Sequence, residues 1–176
     1  MTKFNESIDP VLIKKHFDYS VTTRELTWKL KHCSKVVIGN RAGTQCKRDK
    51  NRCIKFMHQV LKEHRVIWCW FYGKWPKGHI DHINHNELDN RISNLRCVEQ
   101  KENNKNNSLR SDNTTGEIGI YLKVGKRNTT FQVDIRCGKE RFCKAFKQLS
   151  SAIIARNAFY KKHNFHPNHG INKPSL

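Results

Sequence analysis

Apolar and polar positions recur in short blocks along this chain, and each block predicts one element. SIDPVLIKKHFDYS predicts a short helix: Asp9 suits the cap, Pro10 the first helical position, and Val11, Leu12, Lys15 and Phe17 a partly apolar face. RELTWKL alternates Leu26, Trp28 and Leu30, which is strand spacing. KVVIGNRAG ends in turn residues, and CIKFMHQVL alternates again, with Ile54, Phe56, His58 and Val60 on one face. HRVIWCWFYGKWP, from His64 to Pro76, is dense in Trp and Phe and predicts a buried short helix stopped by Gly73 and Pro76. Its aromatic residues read as core.

The second half has a different rhythm. NNKNNSLRSDNTT has no period and one apolar residue, Leu109, so it reads as a linker after a helix end. Ile118, Ile120 and Leu122 then alternate. The turn GKRN, the run Phe131, Val133, Ile135, the turn CGKE and the segment RFCKAF follow, which together predict a three-stranded antiparallel meander. LSSAIIARNAFYKKHN supplies one amphipathic helix, with Ala152, Ala155 and Phe159 at helical spacing and Lys161 and Lys162 near its end. A helix on one face of such a sheet leaves the other face exposed, with Gln132, Asp134, Arg136 and Arg141 on it. The fold class expected from these blocks is α+β.

Charge narrows the partner. The chain of 176 residues carries 34 Lys and Arg against 15 Asp and Glu, a formal net charge of +19. That field suits a polyanion, nucleic acid first, and the basic residues are spread over the whole length. No apolar run approaches the roughly 20 residues of a spanning helix, and MTKFNESIDP is too polar and acidic to open a signal peptide. A cytoplasmic protein is expected. Seven cysteines, an odd number, agree with reduced thiols. A zinc site from Cys33, Cys46, Cys53 and His58 is disfavoured because the chain has no C-x-x-C pair.

One stretch is chemically dense. Gly78 to Arg96, GHIDHINHNELDNRISNLR, holds two aspartates, three histidines and four asparagines. Hydrolysis of a phosphodiester needs a group that takes a proton from water and a cation that stabilises charge on the phosphate and leaving oxygen. A hard divalent cation needs only one or two protein oxygens, and Asp81 offers a carboxylate. His82 offers a base whose ordinary pKa of about 6.5 suits neutral pH. Neighbours on a strand point to opposite sides, so the two act together only where the chain twists or loops. Asn84, His85 and Asn86 supply such a loop. By themselves, an Asp and a His side by side are more often a surface turn than a catalytic pair.

The wider pattern decides. The HR pair at His64 and Arg65, the aromatic run ending in W-P, D-H-I-N, D-N-R-x-x-N-L-R and Q-K-E-N-N-K-N resemble the HNH endonucleases found as free-standing phage and intron-associated homing enzymes. The segment from about Thr114 to Gly170 similarly looks like an AP2-type DNA-binding domain, and FDYSVTTRELTWK like the leader that accompanies such architectures. The resemblance implies a ββα-metal unit with His82 as general base and Asp81 as metal ligand. Asn94 matches the middle Asn that braces the loop, counted with the catalytic residues, and Asn103 a second metal ligand, with Asn104 the adjacent alternative. The cofactor implied is Mg²⁺ or Mn²⁺, one ion per active site. His85 stands where relatives often carry Gly, so a slightly altered turn with positive φ is expected there.

The organisation that follows is a leader at 1–62, a nuclease unit at 63–108, a linker at 109–115 and an AP2-like domain at 116–170. The partner is double-stranded DNA, not a membrane, and the protein a monomer or weak dimer, since no heptad pattern argues for more. DNA contacts are expected from Arg91, Arg96, Arg127, Arg136 and Arg141. His64 and Arg65 either touch DNA or bridge the core. His163, His166 and His169 read as a helix exit. The principal alternative is a sequence-specific DNA-binding protein whose nuclease unit is inert. An RNA-binding protein would explain the charge but not the D-H…N…N spacing.

Overall fold

The computed structural model describes residues 7–46, 51–125 and 128–171, and the chain divides into two compact units, Met1–Gln100 and Lys101–Leu176. Each has its own apolar core, and together they make an α+β fold of small antiparallel sheets. No helix among the described residues is long and apolar enough to cross a membrane.

The first unit opens with α1 (Pro10–His16), capped by the Asp9 carboxylate, which accepts from the Val11 N–H at 2.9 Å. Its buried residue is Ile13, while Val11 is exposed. The apolar face expected through Val11 and Lys15 is therefore displaced, because the helix ends at His16 and Phe17 already belongs to a strand. β1 (Phe17–Ser20) pairs with β2 (Glu25–Trp28) in the register Phe17↔Trp28. A second sheet runs β3 (Thr44–Gln45), β4 (Arg52–Phe56), β5 (Gln59–Lys62).

CIKFMHQVL is thus a hairpin, not one strand. Met57 and His58 both take positive φ, 48° and 63°, and turn the chain so that Phe56 pairs with Gln59. Two consecutive positive φ values match the right-handed twist of the strands they join. Ile54, Phe56 and Leu61 go inward, while His58 and Val60 are left outside.

α2 (Glu63–Tyr72) follows directly and ends where Gly73, at φ 66°, closes the last turn by donating to the Cys69 carbonyl at 2.9 Å. Val66, Ile67 and Cys69 pack into the core formed by Phe17, Leu26, Ile54 and Phe56. Burial of each such large side chain is worth about 1.5–3 kcal/mol. The indoles find polar partners as well: Trp70 donates to the Phe17 carbonyl at 3.0 Å and Trp75 to that of Ile8 at 2.7 Å. One core therefore spans residues from Ile8 to Leu95 and seats the hairpin of β6 (His79–His82) and β7 (Leu95–Val98). α3 (Gln100–Asn103) comes after it.

In the second unit, β8 (Ile120–Val124), β9 (Thr129–Cys137) and β10 (Glu140–Phe146) form a sheet in the order β10-β9-β8, with α4 (Leu149–Lys162) packed on it. Ile120, Val133, Ile135, Ala152 and Phe159 are its buried core. The buried position of α4 between Ala152 and Phe159 is Arg156 rather than Ala155. Its guanidinium donates to the Ile118 carbonyl at 3.0 Å and pairs with Glu117 at 2.8 Å, so a charge is tolerated where an apolar residue was expected. The segment read as a linker is hydrogen-bonded inside this unit: His166 and Gly170 donate to the carbonyls of Lys105 and Asn107, and Thr115 to that of Ile120.

Candidate active site and nucleic-acid interface

β6 and β7 pair His79↔Val98, Ile80↔Cys97, Asp81↔Arg96 and His82↔Leu95. Cross-strand partners lie on one face, which sets Asp81 beside Arg96: Nε and Nη2 of Arg96 reach Oδ2 of Asp81 at 2.8 and 2.7 Å. His82, the next residue, points the other way and is buried, 7% exposed.

The loop from Ile83 to Ser93 is held by its asparagines. Asn94 accepts at Oδ1 from the Asn84 N–H at 3.0 Å and donates through Nδ2 to Asn84 Oδ1 at 2.9 Å and the Asp89 carbonyl at 2.8 Å. Asn84 donates to Asp89 Oδ2 at 2.8 Å, and its Oδ1 also accepts from the Asn86 N–H. Asn86 in turn accepts from the Leu88 N–H. These are local side-chain turns that replace regular backbone pairing. His85, at φ 63°, donates its N–H to the His82 carbonyl at 2.9 Å. Arg91 clamps Asp89, and this bond holds the Asp89 carboxyl below its ordinary range.

Behind His82 lies a buried polar chain that pattern reading missed. His82 Nε2 is 2.9 Å from Asn90 Oδ1, and Asn90 Nδ2 donates to Glu63 Oε2 at 2.8 Å. Glu63 is 1% exposed and faces two guanidinium groups, Arg52 at 3.3 Å and Arg41 at 4.0 Å. Burial pushes the Glu63 carboxyl above its ordinary range, opposed by Arg52, Arg41 and the Asn90 amide. Burial also lowers the His82 pKa, against the Asn90 hydrogen bond and the charges of Glu87, Asp81 and Asp89. A lone acidic residue opening a helix dense in aromatic residues was the available signal for Glu63.

His64 and Arg65 are both buried. Arg65 donates to the carbonyls of Gly78 at 2.8 Å and Pro76 at 2.9 Å and so bridges to the backbone at the entry to β6. His64 packs against the His82 ring and is likewise withdrawn from solvent.

Oxygen donors suit a hard divalent cation better than zinc. The Asp81 carboxylate fits that donor type, and Arg96 is hydrogen-bonded to one of its oxygens; Asn103 is the last residue of α3. Among the described residues no group of three or more His, Cys, Asp or Glu is arranged to hold a metal ion, and none of the seven cysteines forms a disulfide.

On the sheet of the second unit, the register Arg141↔Arg136, Cys143↔Asp134 and Tyr121↔Gln132 sets these six residues on the face opposite the apolar rows of Val133 and Ile135. Arg136 is exposed, and Arg141 forks onto Asp134 at 2.9 and 2.7 Å. Arg127 lies outside the described residues. His166 and His169 fold back near the helix exit, where His169 accepts from the Asn107 N–H and packs on Tyr160, and His163 packs at a tilt on Phe159.

Residues 62–105 match the family model described as HNH endonuclease. Protein 3.8 of Escherichia phage T7 is 36% identical over 67 residues, which make up 38% of this chain and 55% of that protein. The chain thus spans about half the length of the curated relative it matches. No solved structure shows a significant match. A nuclease-type domain resembling the HNH endonucleases, with a phage protein among its relatives, is the class to which these matches point.

Proposed function

We propose that this protein is a metal-dependent DNA endonuclease of the homing type, with a ββα-metal unit at 63–108 and an AP2-like DNA-binding domain at 116–170. A leader at 1–62 precedes them and a connecting segment at 109–115 joins them. The observation that carries the reading is the placement of buried His82 next to Asp81 on a hairpin whose loop Asn94 braces, within the segment that matches the HNH model.

In this mechanism His82 takes a proton from water as the water oxygen bonds to phosphorus, and the bond from phosphorus to the leaving oxygen breaks. Burial favours the neutral imidazole that this step requires. Asp81 and Asn103 would hold the cation, Mg²⁺ or Mn²⁺, which when bound stabilises charge on the phosphate and the leaving oxygen. The net charge of +19 and the outward face carrying Arg136 and Arg141 support double-stranded DNA as substrate. Arg91, Arg96 and Arg127 are further candidates for phosphate contacts. A single site of this kind nicks one strand; both strands need two copies or two events. The cytoplasm of a bacterial host is the setting that a phage relative supports.

The pairing of Asp81 with Arg96 favours one competing reading, a DNA-binding protein whose nuclease unit is inert. Incubation of supercoiled plasmid with Mg²⁺ or Mn²⁺ separates the two. Nicked or linear product that EDTA and His82→Ala both abolish supports the nuclease. A native protein that retards DNA but cuts none of it with either metal overturns it.

A further inference from the structure

We propose that the cavity between residues 32–33 and the Met57–His58 turn is a nucleotide site, with the base enclosed and the phosphate turned to the lysines at its rim. The cavity belongs to the first unit, takes no lining residue from β6 or β7, and does not rest on the nuclease reading.

Its volume is about 450 Å³, within the roughly 300–1,000 Å³ of small-molecule sites. His32 and Cys33 line one side, and Lys55, Phe56, Met57 and His58 the other. β5 sets it apart from the polar chain behind His82: the four residues Gln59–Lys62, at about 3.3 Å each, stand between His58 and Glu63.

The lining selects the ligand. Its inner part is aromatic: Phe56 is 1% exposed, and the His32 ring stands edge to face against it, centroids 5.0 Å apart and planes at 86°. Such surfaces hold a flat ring whatever the pattern of its polar edge. Nε2 of His32 is buried and has no hydrogen-bond partner among the described residues. A buried polar atom of this kind costs free energy until it is paired, and the nitrogens and oxygens of a base edge pair it in either tautomer. The rim is basic. Segments 29–35 and 53–58 hold Lys29, Lys31, Lys35 and Lys55, all exposed, and no Asp or Glu. A nucleotide brings the flat ring, the polar edge and the negative charge together; a sugar phosphate lacks the ring, and an apolar ligand lacks the edge and the charge.

The turn points the same way. Met57 and His58 take φ of 48° and 63°, where Gly, Asn or Asp sit with less strain. Neither side chain belongs to the core, since both are exposed, and both line the cavity. Backbone strain retained for side chains that face a cavity is the mark of a binding wall.

Met57 is one of two methionines in the chain, the other being Met1, so ¹³C-methyl methionine labelling of the full chain gives a single reporter in the cavity wall. Titrations without metal use the deoxynucleoside monophosphates, deoxyribose phosphate, a paired DNA duplex and the same duplex with one unpaired nucleotide. The Met57 methyl is expected to shift saturably with ligands that present a free base, and not with deoxyribose phosphate. Saturation by the monophosphates alone assigns a free nucleotide; saturation by the duplex with an unpaired nucleotide, at lower concentration, assigns a nucleotide unstacked from nucleic acid. Lys55→Ala, at an exposed position, is expected to weaken binding at least ~10-fold. His32→Phe, which keeps a ring against Phe56 and removes Nε2, is expected to do the same. A Met57 signal that responds to none of these ligands overturns the proposal, as does one that follows the paired duplex or deoxyribose phosphate equally well. Native affinity in both variants, each folded by amide dispersion, also overturns it.

Discussion

The rings of His64 and His82 stand edge to face, their centroids 5.2 Å apart and their planes at 88°. Two imidazoles this close in a buried site do not both carry charge at low cost. Burial lowers the pKa of His64 well below 6.5, and the neighbouring His82, Lys62 and Arg65 push it the same way. The folded protein therefore refuses a proton that the unfolded chain takes up.

The sign of the pH dependence follows. A histidine with a depressed folded pKa contributes stability that is present above its unfolded value of 6.5 and is lost as pH falls from there through the folded pKa. Denaturant midpoints are expected to drop between pH 7.5 and 5. His64→Phe, which keeps a ring against His82, is expected to flatten that slope. An unchanged slope in the variant would remove His64 from the account.

Asn94→Ala is expected to destabilise the first unit by about 1–3 kcal/mol, because it strands the Asn84 N–H and the Asp89 carbonyl in a partly buried loop. Asn94→Asp keeps the acceptor and loses both donated bonds, so it should fall between Ala and native. Chemical denaturation checks the order. Equal stability of all three would mean that the loop does not depend on this side chain.

A Cβ at position 78 would lie 2.5 Å from the Val98 carbonyl oxygen, a backbone atom of the paired strand. Gly78→Ala must therefore part β6 from β7 at His79↔Val98. About 1–3 kcal/mol of stability should go, and cleavage with it, since β6 carries Asp81 and His82. Native-like melting of this variant would contradict the tight pairing.

Arg96 holds the Asp81 carboxylate that, in the proposed nuclease, a divalent cation would need. Asp81→Asn is expected to abolish metal-dependent cleavage. Arg96→Gln is expected to lower the Mn²⁺ concentration at half-maximal activity, read in a metal titration at fixed DNA. A higher requirement would show that Arg96 assists the cation.

Arg136 is exposed on the outward face, whereas Arg141 is already paired with Asp134. Arg136→Ala is expected to weaken DNA binding and reduce the slope of log K against log salt by about 1. Arg141→Ala should do less. The reverse order in a salt-dependent binding series would move the contact to the Arg141 side of the sheet.

Much of this molecule was legible from local pattern. Asp9 before Pro10 marks a helix start and Gly73 its neighbour's end, because caps are decided within one turn. The alternation through Val133 and Ile135 marks a sheet with one buried face, because side chains on a strand repeat every second residue. Asp81 and His82 stood out as a carboxylate beside an imidazole, while Asn94 and the positive φ at His85 were expected only through the resemblance to the HNH endonucleases.

Other features existed only once distant segments met. The hairpin at Met57 and His58 carries none of the glycine or asparagine that usually marks such a turn, so tertiary packing of Phe56 and Leu61 had to select it. Arg156 holds a core position because Glu117 and the Ile118 carbonyl come to meet it. Periodicity reports which side of an element faces solvent, and that much the sequence by itself determined. The chain from Glu63 through Asn90 to His82 joins α2 to a loop 27 residues away, and hydrogen bonds between such segments leave no periodic trace. Only the tertiary structure decided which way His82 is held, because only there do an acceptor, an amide and an imidazole stand in line.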